Sequence, residues 1–289
     1  MTETQNIISA PRQRHRAVNY RLWLPLTWLS LVFGAAIFAP WIAPLDPLAQ
    51  DLLYERLPPA WEQGAEPGYW LGTDGLGRDV LSRIIYGARI AIVVSLIAAT
   101  AAAIFGSVLG LLAGFMGGWW DRVISRIIDI WMAFPPVLFS VLLVAVMGTG
   151  LASVIVAIAV IDWTRFARVV RAETLVQSQM DYVDSALIGG AGRFKTLLQE
   201  VLPNVLPAIV ALFALEMGIA VIVEAILSFV NLSLSSDAPT WGGMIAEGRA
   251  TVHYAWWVLV FPLAVLFLTV LSFSQLGEGL KRQFDPVLQ

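Results

Sequence analysis

Long apolar runs dominate the chain, and short polar stretches punctuate them. A helix that crosses a bilayer needs about 20 largely apolar residues. Six segments meet that length: 22–43, 90–115, 127–146, 151–170, 205–229 and 255–276. The fourth reaches it only by carrying Asp162, Arg165 and Arg168 on its last turns. The pattern predicts an all-α polytopic membrane protein with six transmembrane helices. Between the fourth and fifth runs the periodicity changes. Tyr182, Val183, Ala186 and Leu187 form one apolar stripe, with Asp181, Asp184 and Ser185 opposite. Gly189, Gly190 and Gly192 interrupt it. Phe194, Leu197, Leu198, Val201 and Leu202 form a second stripe that ends at Pro203. This spacing predicts a short amphipathic helix, a glycine turn and a second amphipathic helix leading into the next span.

Orientation follows from the basic residues, which gather on the cytoplasmic side of a membrane protein. With six spans, Arg12, Arg14, Arg16, Arg21, Arg122, Arg126, Arg165, Arg168, Arg171, Arg193, Lys195, Lys281 and Arg282 share one side. The other side receives only Arg56, Arg78, Arg83, Arg89 and Arg249. Both termini are expected in the cytoplasm. Residues 1–21 are then a cytoplasmic tail and 22–289 a transmembrane domain. Within it, 44–84 and 231–254 form outer loops and 171–204 a cytoplasmic loop. The basic stretch before residue 22 resembles the start of a signal peptide. The run to Ala43 is too long for one, and no clear cleavage site follows, so it reads as a retained span.

Composition narrows the chemistry. Hydrophobic residues make up 58% of the 289 and charged residues 13%, about half the share found in soluble domains. The net charge of −3 gives no reason to expect nucleic acid. With no cysteine and only His15 and His253, neither a thiolate metal site nor a thiol nucleophile can form. No metal site is expected, and no catalytic residue is assigned.

Several residues invite a closer reading. Gly106, Gly110 and Gly114 recur every four residues on the second span, a spacing that lets another helix approach closely. The approaching helix belongs either to the same bundle or to a second subunit. Pro135-Pro136 must kink or break the third span, as a structural bend or as the lining of a cavity. Glu216 and Glu224 lie in the fifth span, about 80° apart around a helix. A carboxylate at that depth requires a partner, water or a proton. The pair either lines a pathway favouring a cationic or amine-bearing solute or meets basic residues elsewhere in the fold. Asp129 falls three residues after Arg126, a spacing for a local helix pair. In the outer segment, Gly72, Asp74, Gly77, Arg78 and Asp79 stand close together. They suit either a loop folded by Asx turns and an Arg–carboxylate contact or a surface for an outer partner.

The glycines before Lys195-Thr196 raise the question of a phosphate loop. That motif requires Gly-Lys-Ser/Thr, and Phe194 stands in the place of the glycine. Nucleotide binding by this chain is excluded on that ground. The amphipathic stripes suit a helix that lies in the headgroup plane or docks into a partner.

"DSALIGG" followed by "VLPN" resembles the EAA motif of ABC-importer permeases. Asp184, Ser185 and Ala186 match its Glu-Ala-Ala, Gly190 its glycine, and Leu202-Pro203 its closing pair. "LGTDGLGRDVLSRIIYGAR" at 71–89 resembles the outer segment of dipeptide, oligopeptide and nickel permeases, in particular the "C" member of the pair. "EAILSFVNL", "APTWGGMI" and "GEGLKRQFDP" resemble further stretches of that family. The resemblance implies a type I ABC-importer permease fold in a prokaryotic inner membrane. It implies a coupling helix at about 182–192, with Tyr182, Asp184, Ser185, Ala186, Gly189, Gly190, Leu202 and Pro203 meeting the ATPase. The partners it implies are a homologous permease, two ATPase subunits that bind ATP and Mg, and an extracytoplasmic solute-binding protein. The solute it implies is peptide-like, with nickel, a metal chelate or an opine as alternatives. An ion-coupled secondary transporter would need two related halves, and no internal repeat is visible.

Overall fold

The computed structural model describes residues 20–234 and 237–284. Most of the expected cytoplasmic tail, and the closing Asp285-Pro286, lie outside those residues. The elements are helical: α1 (Tyr20–Ile42), α2 (Val80–Met116), α3 (Gly118–Met132), α4 (Pro136–Met147), α5 (Leu151–Gln177), α6 (Asp181–Ile188), α7 (Arg193–Thr196), α8 (Leu202–Phe229), α9 (Trp241–Thr251) and α10 (Trp256–Phe284). A single 3-10 turn, Leu52–Tyr54, lies in the long outer loop, and a π-helical turn, Leu197–Val201, joins α7 to α8.

Among the described residues, four helices are long and apolar enough to cross a membrane: α1, α2, the α7–α8 continuum and α10. The expected third span is not one helix. Pro135-Pro136 breaks it into α3 and α4, set 84° apart. Pro136 starts α4, where its missing N–H costs nothing. Counted as one broken span, this pair raises the total to five. The sixth, α5, has the length at 27 residues, but its charges exclude it on apolarity. Its position explains how it tolerates them. It packs along α2 and also against α3, α4 and α8, so neighbouring helices shield much of its surface from lipid.

The α2–α5 seam is closed by the glycine stripe. A methyl group on Gly106 would fall 2.7 Å from the β-carbon of Phe166, and one on Gly114 would fall 2.7 Å from that of Thr174. At Gly110 it would meet the Ala167 carbonyl at 2.7 Å and the Val170 β-carbon at 2.9 Å. All three glycines therefore admit a helix of the same chain. The subunit-interface alternative for this stripe is set aside.

Two differences at helix ends have local causes. The helix of the second span starts at Val80, ten residues before the expected span at 90, because the Asp79 carboxylate accepts the Ser82 N–H at 2.8 Å and caps it. Pro203 does not end the second amphipathic stretch. The π turn shifts the ladder so that the Leu202 N–H reaches the Leu197 carbonyl, and Pro203 then sits in the first turn of α8. The Asn204 side-chain amide donates to the Glu200 carbonyl at 2.7 Å, which satisfies an acceptor beside the proline. The outer loop 231–254 also carries a helix, α9, that no apolar run announced.

Candidate functional site

The α6 segment of the loop between α5 and α8 is anchored by one buried side chain. Val183 packs with Leu111, Val170, Leu197, Val201 and Val205, which fixes α6 against α2, α5 and the root of α8. The Tyr182 hydroxyl donates to Gln177 at 2.8 Å and accepts from the Asn204 amide at 3.3 Å. Burial pushes the Tyr182 hydroxyl above its ordinary range. At its other end α6 closes with a Schellman turn. The Ala191 N–H donates to the Ala186 carbonyl at 3.0 Å and the Gly190 N–H to the Leu187 carbonyl at 3.1 Å. Gly190 takes φ +88°, a conformation that suits glycine. Asp184, Ser185, Gly189 and Gly190 are exposed, and Ala186 is half-buried. Leu202 is half-buried and Pro203 is exposed at the root of α8. Phe194 does not join the second stripe but points outward, as does Ile188. The two apolar side chains flank the glycine turn.

From Arg193 the chain runs as one helical body of 37 residues to Phe229. This continuity carries the loop's root directly to the intramembrane carboxylates. Glu216 is 2% exposed and accepts from Arg165 Nη1 at 3.1 Å. Asp162, one turn before Arg165 on α5, is 3% exposed. Glu224 is buried at 1%, and the hydroxyls of Ser228 and Ser233 donate to its Oε1 at 2.6 and 3.3 Å. The two glutamates therefore do not share an open wall. Glu224 is held inside the fold by α8 itself and the segment after it. Asp129 pairs with Arg168 on α5 at 3.1 Å, rather than with Arg126. Asp121 pairs with Arg171, a second tie between α3 and α5. Pro135 and Pro136 sit on an exposed bend.

The cluster at 72–79 is an ion network that reaches α9. Asp74 Oδ1 accepts the backbone N–H groups of Leu76 and Arg78 at 2.8 and 3.0 Å, an Asx turn. Its Oδ2 accepts Arg78 Nε at 2.7 Å and also Arg83 Nη1. Both guanidiniums continue to Glu247 on α9, Arg78 at 3.0 Å and Arg83 at 2.6 and 3.1 Å. Burial pushes the Asp79 carboxyl up from its ordinary range, and its hydrogen bonds from Ser82 oppose that. Gly72 and Gly77 take φ +77° and +73°. Each lies where a β-carbon would strike backbone of residues 51–58. Trp257 on α10 donates its indole N–H to the Thr73 carbonyl at 2.9 Å. Arg83 and Glu247 were not foreseen. They lie 164 residues apart, and no local spacing links them. The sequence marks Arg165 as a basic residue that sets orientation and, with Asp162, as a charge within the fourth span, but pairs neither with Glu216.

The chain is similar to known proteins. The family described as binding-protein-dependent transport system inner membrane component matches residues 106–287. The glutathione transport system permease protein GsiD of Shigella dysenteriae serotype 1 is 40% identical over 279 residues, covering 96% of this chain and 88% of that protein. GsiD of Shigella flexneri serotype 5b is 42% identical with the same coverage. Among solved structures, the inward-facing MetNI methionine ABC transporter aligns with a TM-score of 0.59. That alignment covers 70% of this chain and 96% of the other at 18% identity, which speaks for the fold alone. By the matched family and the near full-length relatives, the chain belongs to the binding-protein-dependent inner membrane transport components, as a permease subunit of an ABC importer.

Proposed function

We propose that this subunit pairs with a homologous permease to pass a peptide-like solute across the cytoplasmic membrane, with both termini in the cytoplasm. Two partner ATPases bind ATP and Mg and supply the work. An extracytoplasmic solute-binding protein delivers the solute, and this chain itself catalyses no reaction. The observation that carries the reading is the mechanical continuity of α6 with the fifth span. α6 is keyed by Val183 into α2, α5 and the π turn, and from Arg193 one helical body reaches Phe229. A push on the exposed face of α6, from Asp184 through Ile188, is therefore transmitted to the middle of the bundle. The peptide-like solute is supported by the 40–42% identity to GsiD proteins over 96% of this chain.

The test is Gly190→Val in the reconstituted complex. A β-branched residue at φ +88° costs about 1–2 kcal/mol and opens the turn that ends α6. Nothing lies within 4 Å of the added β-carbon, so the bundle is left alone. The expected result is normal membrane insertion and subunit assembly with ATP hydrolysis no longer linked to uptake. Unchanged uptake per ATP would overturn the coupling role.

A further inference from the structure

The charges at the centre of the membrane domain do not balance. Glu216 is fourteen residues from Leu202 and thirteen from Phe229, about 20 Å from each end of α8. Arg165 donates to it through Nη1 alone. Asp162, on the same helix as Arg165, lies within electrostatic reach of both Arg165 and Glu216. It accepts no hydrogen bond among the described residues. Two buried carboxylates thus share one guanidinium inside the helix bundle. Such a set calls for a further cation or a proton.

The cluster has one way out. Asp162 and Glu216 are buried, but the Arg165 side chain is 32% exposed. A guanidinium with unused donors is costly against hydrocarbon and is found facing water or polar groups. The exposed side of Arg165 therefore borders water or a polar partner, and that side gives access to the two acids behind it. The neighbouring charges on the same flank of α3 and α5, Asp129 and Arg168, already satisfy each other and offer Asp162 no cation.

From this geometry we infer that Asp162, with the Glu216–Arg165 pair beside it, is a transient site for the ammonium group of the transported solute. The Arg165 side chain stands at its mouth and moves aside as the ammonium enters. An ammonium supplies the one positive charge the cluster lacks and three N–H donors for the bare Asp162 carboxylate. The inference rests on the peptide reading of the preceding subsection and names the end of the peptide that is recognised.

The test uses the complete complex in proteoliposomes, with one peptide supplied in two forms, N-terminally free and N-acetylated. Each is given at a concentration that saturates the solute-binding protein, so that its selection drops out. The quantity read is the ratio of the two uptake rates. The wild type should favour the free amine. Asp162→Asn should lower the ratio tenfold or more towards one, and Asp162→Glu should restore it. Co-purification with the partner subunits establishes assembly of each variant. A wild-type ratio of one overturns the proposal without recourse to any variant. An unchanged ratio in Asp162→Asn also overturns it, and if the pH profile of uptake shifts instead, the missing charge is a proton. Uptake of neither form by the wild type, with ATP hydrolysis intact, removes the peptide reading and this ligand with it.

Discussion

The α2–α5 seam makes a quantitative prediction that separates packing from helix propensity. A β-carbon on Gly110 would lie 2.7 Å from the Ala167 carbonyl, 2.9 Å from the Val170 β-carbon and 3.0 Å from the Arg171 nitrogen. Ordinary contact begins at 3.4 Å, so the two helices must part locally by about 0.7 Å. The obstructing atoms are backbone and a β-carbon, which no rotamer change can move. Overpacking of this kind costs about 1–3 kcal/mol. Alanine also gains about 1 kcal/mol over glycine in a helix interior, which would mask part of the loss. Gly34 supplies the control, since it lies within α1 and has nothing within 4 Å of its added carbon. The propensity gain is common to both sites and cancels. Gly110→Ala should therefore unfold about 1–3 kcal/mol more easily than Gly34→Ala, measured by equilibrium denaturation in mixed micelles. Equal stabilities would refute the seam. A deficit seen only in the assembled complex, and not in the subunit alone, would return the stripe to a subunit interface.

Three further outcomes follow from the buried polar groups. Asp74→Ala strips Arg78 and Arg83 of their shared acceptor and leaves both to Glu247. A cost of about 3–5 kcal/mol is expected for a broken buried pair, read as earlier thermal unfolding and as protease cleavage within 44–79. Trp257→Phe leaves a smaller aromatic ring and loses the bond to the Thr73 carbonyl. The lost bond alone should cost about 0.5–1.5 kcal/mol in the same unfolding assay, the lost ring volume adds to it, and no loss would mean that the bond does not pin the loop to α10. Glu224→Gln retains an acceptor for Ser228 and Ser233, so uptake and stability should stay within twofold of the wild type. A collapse of uptake in that variant would show that the charge itself is used.

What could be read from the sequence divides by the range of the interaction. The α6 turn was legible because its chemistry is local: stripe, Gly190 and the following stripe lie within one short stretch. The glycine stripe announced a close approach, but not which helix approached, since nothing in residues 106–114 points to 163–174. Pro203 misled as a stop signal because the compensating shift in the ladder comes from the preceding π turn, which has no sequence period. α9 was missed for a related reason. Its sequence, WGGMIAEGRAT, carries three glycines and no amphipathic stripe, and Thr240 starts it by accepting the Gly243 N–H at 3.1 Å. Gly242 and Gly248 then bring it against the backbone of Ala225 and Leu259, so tertiary packing, rather than propensity, holds the helix.

The same division explains why the intramembrane charges had to wait for the fold, and why they are not alike once placed. In the outer network Arg78 and Arg83 meet Asp74 and Glu247, two charges of each sign. Between α3 and α5, Asp121 meets Arg171 and Asp129 meets Arg168, again one for one. These sets tie elements together, and a neutral set has no reason to open. The cluster of Asp162, Arg165 and Glu216 holds two buried acids against one guanidinium. It lies on α5 and α8, the two long helices that the loop carrying α6 connects. Glu216 belongs to the helical body that starts at Arg193, and Val183 of α6 shares a buried cluster with Val170 of α5. On the proposed coupling role of α6, a site that is electrostatically incomplete and joined to that loop can change its affinity when the loop moves, whereas the balanced pairs around it hold the frame.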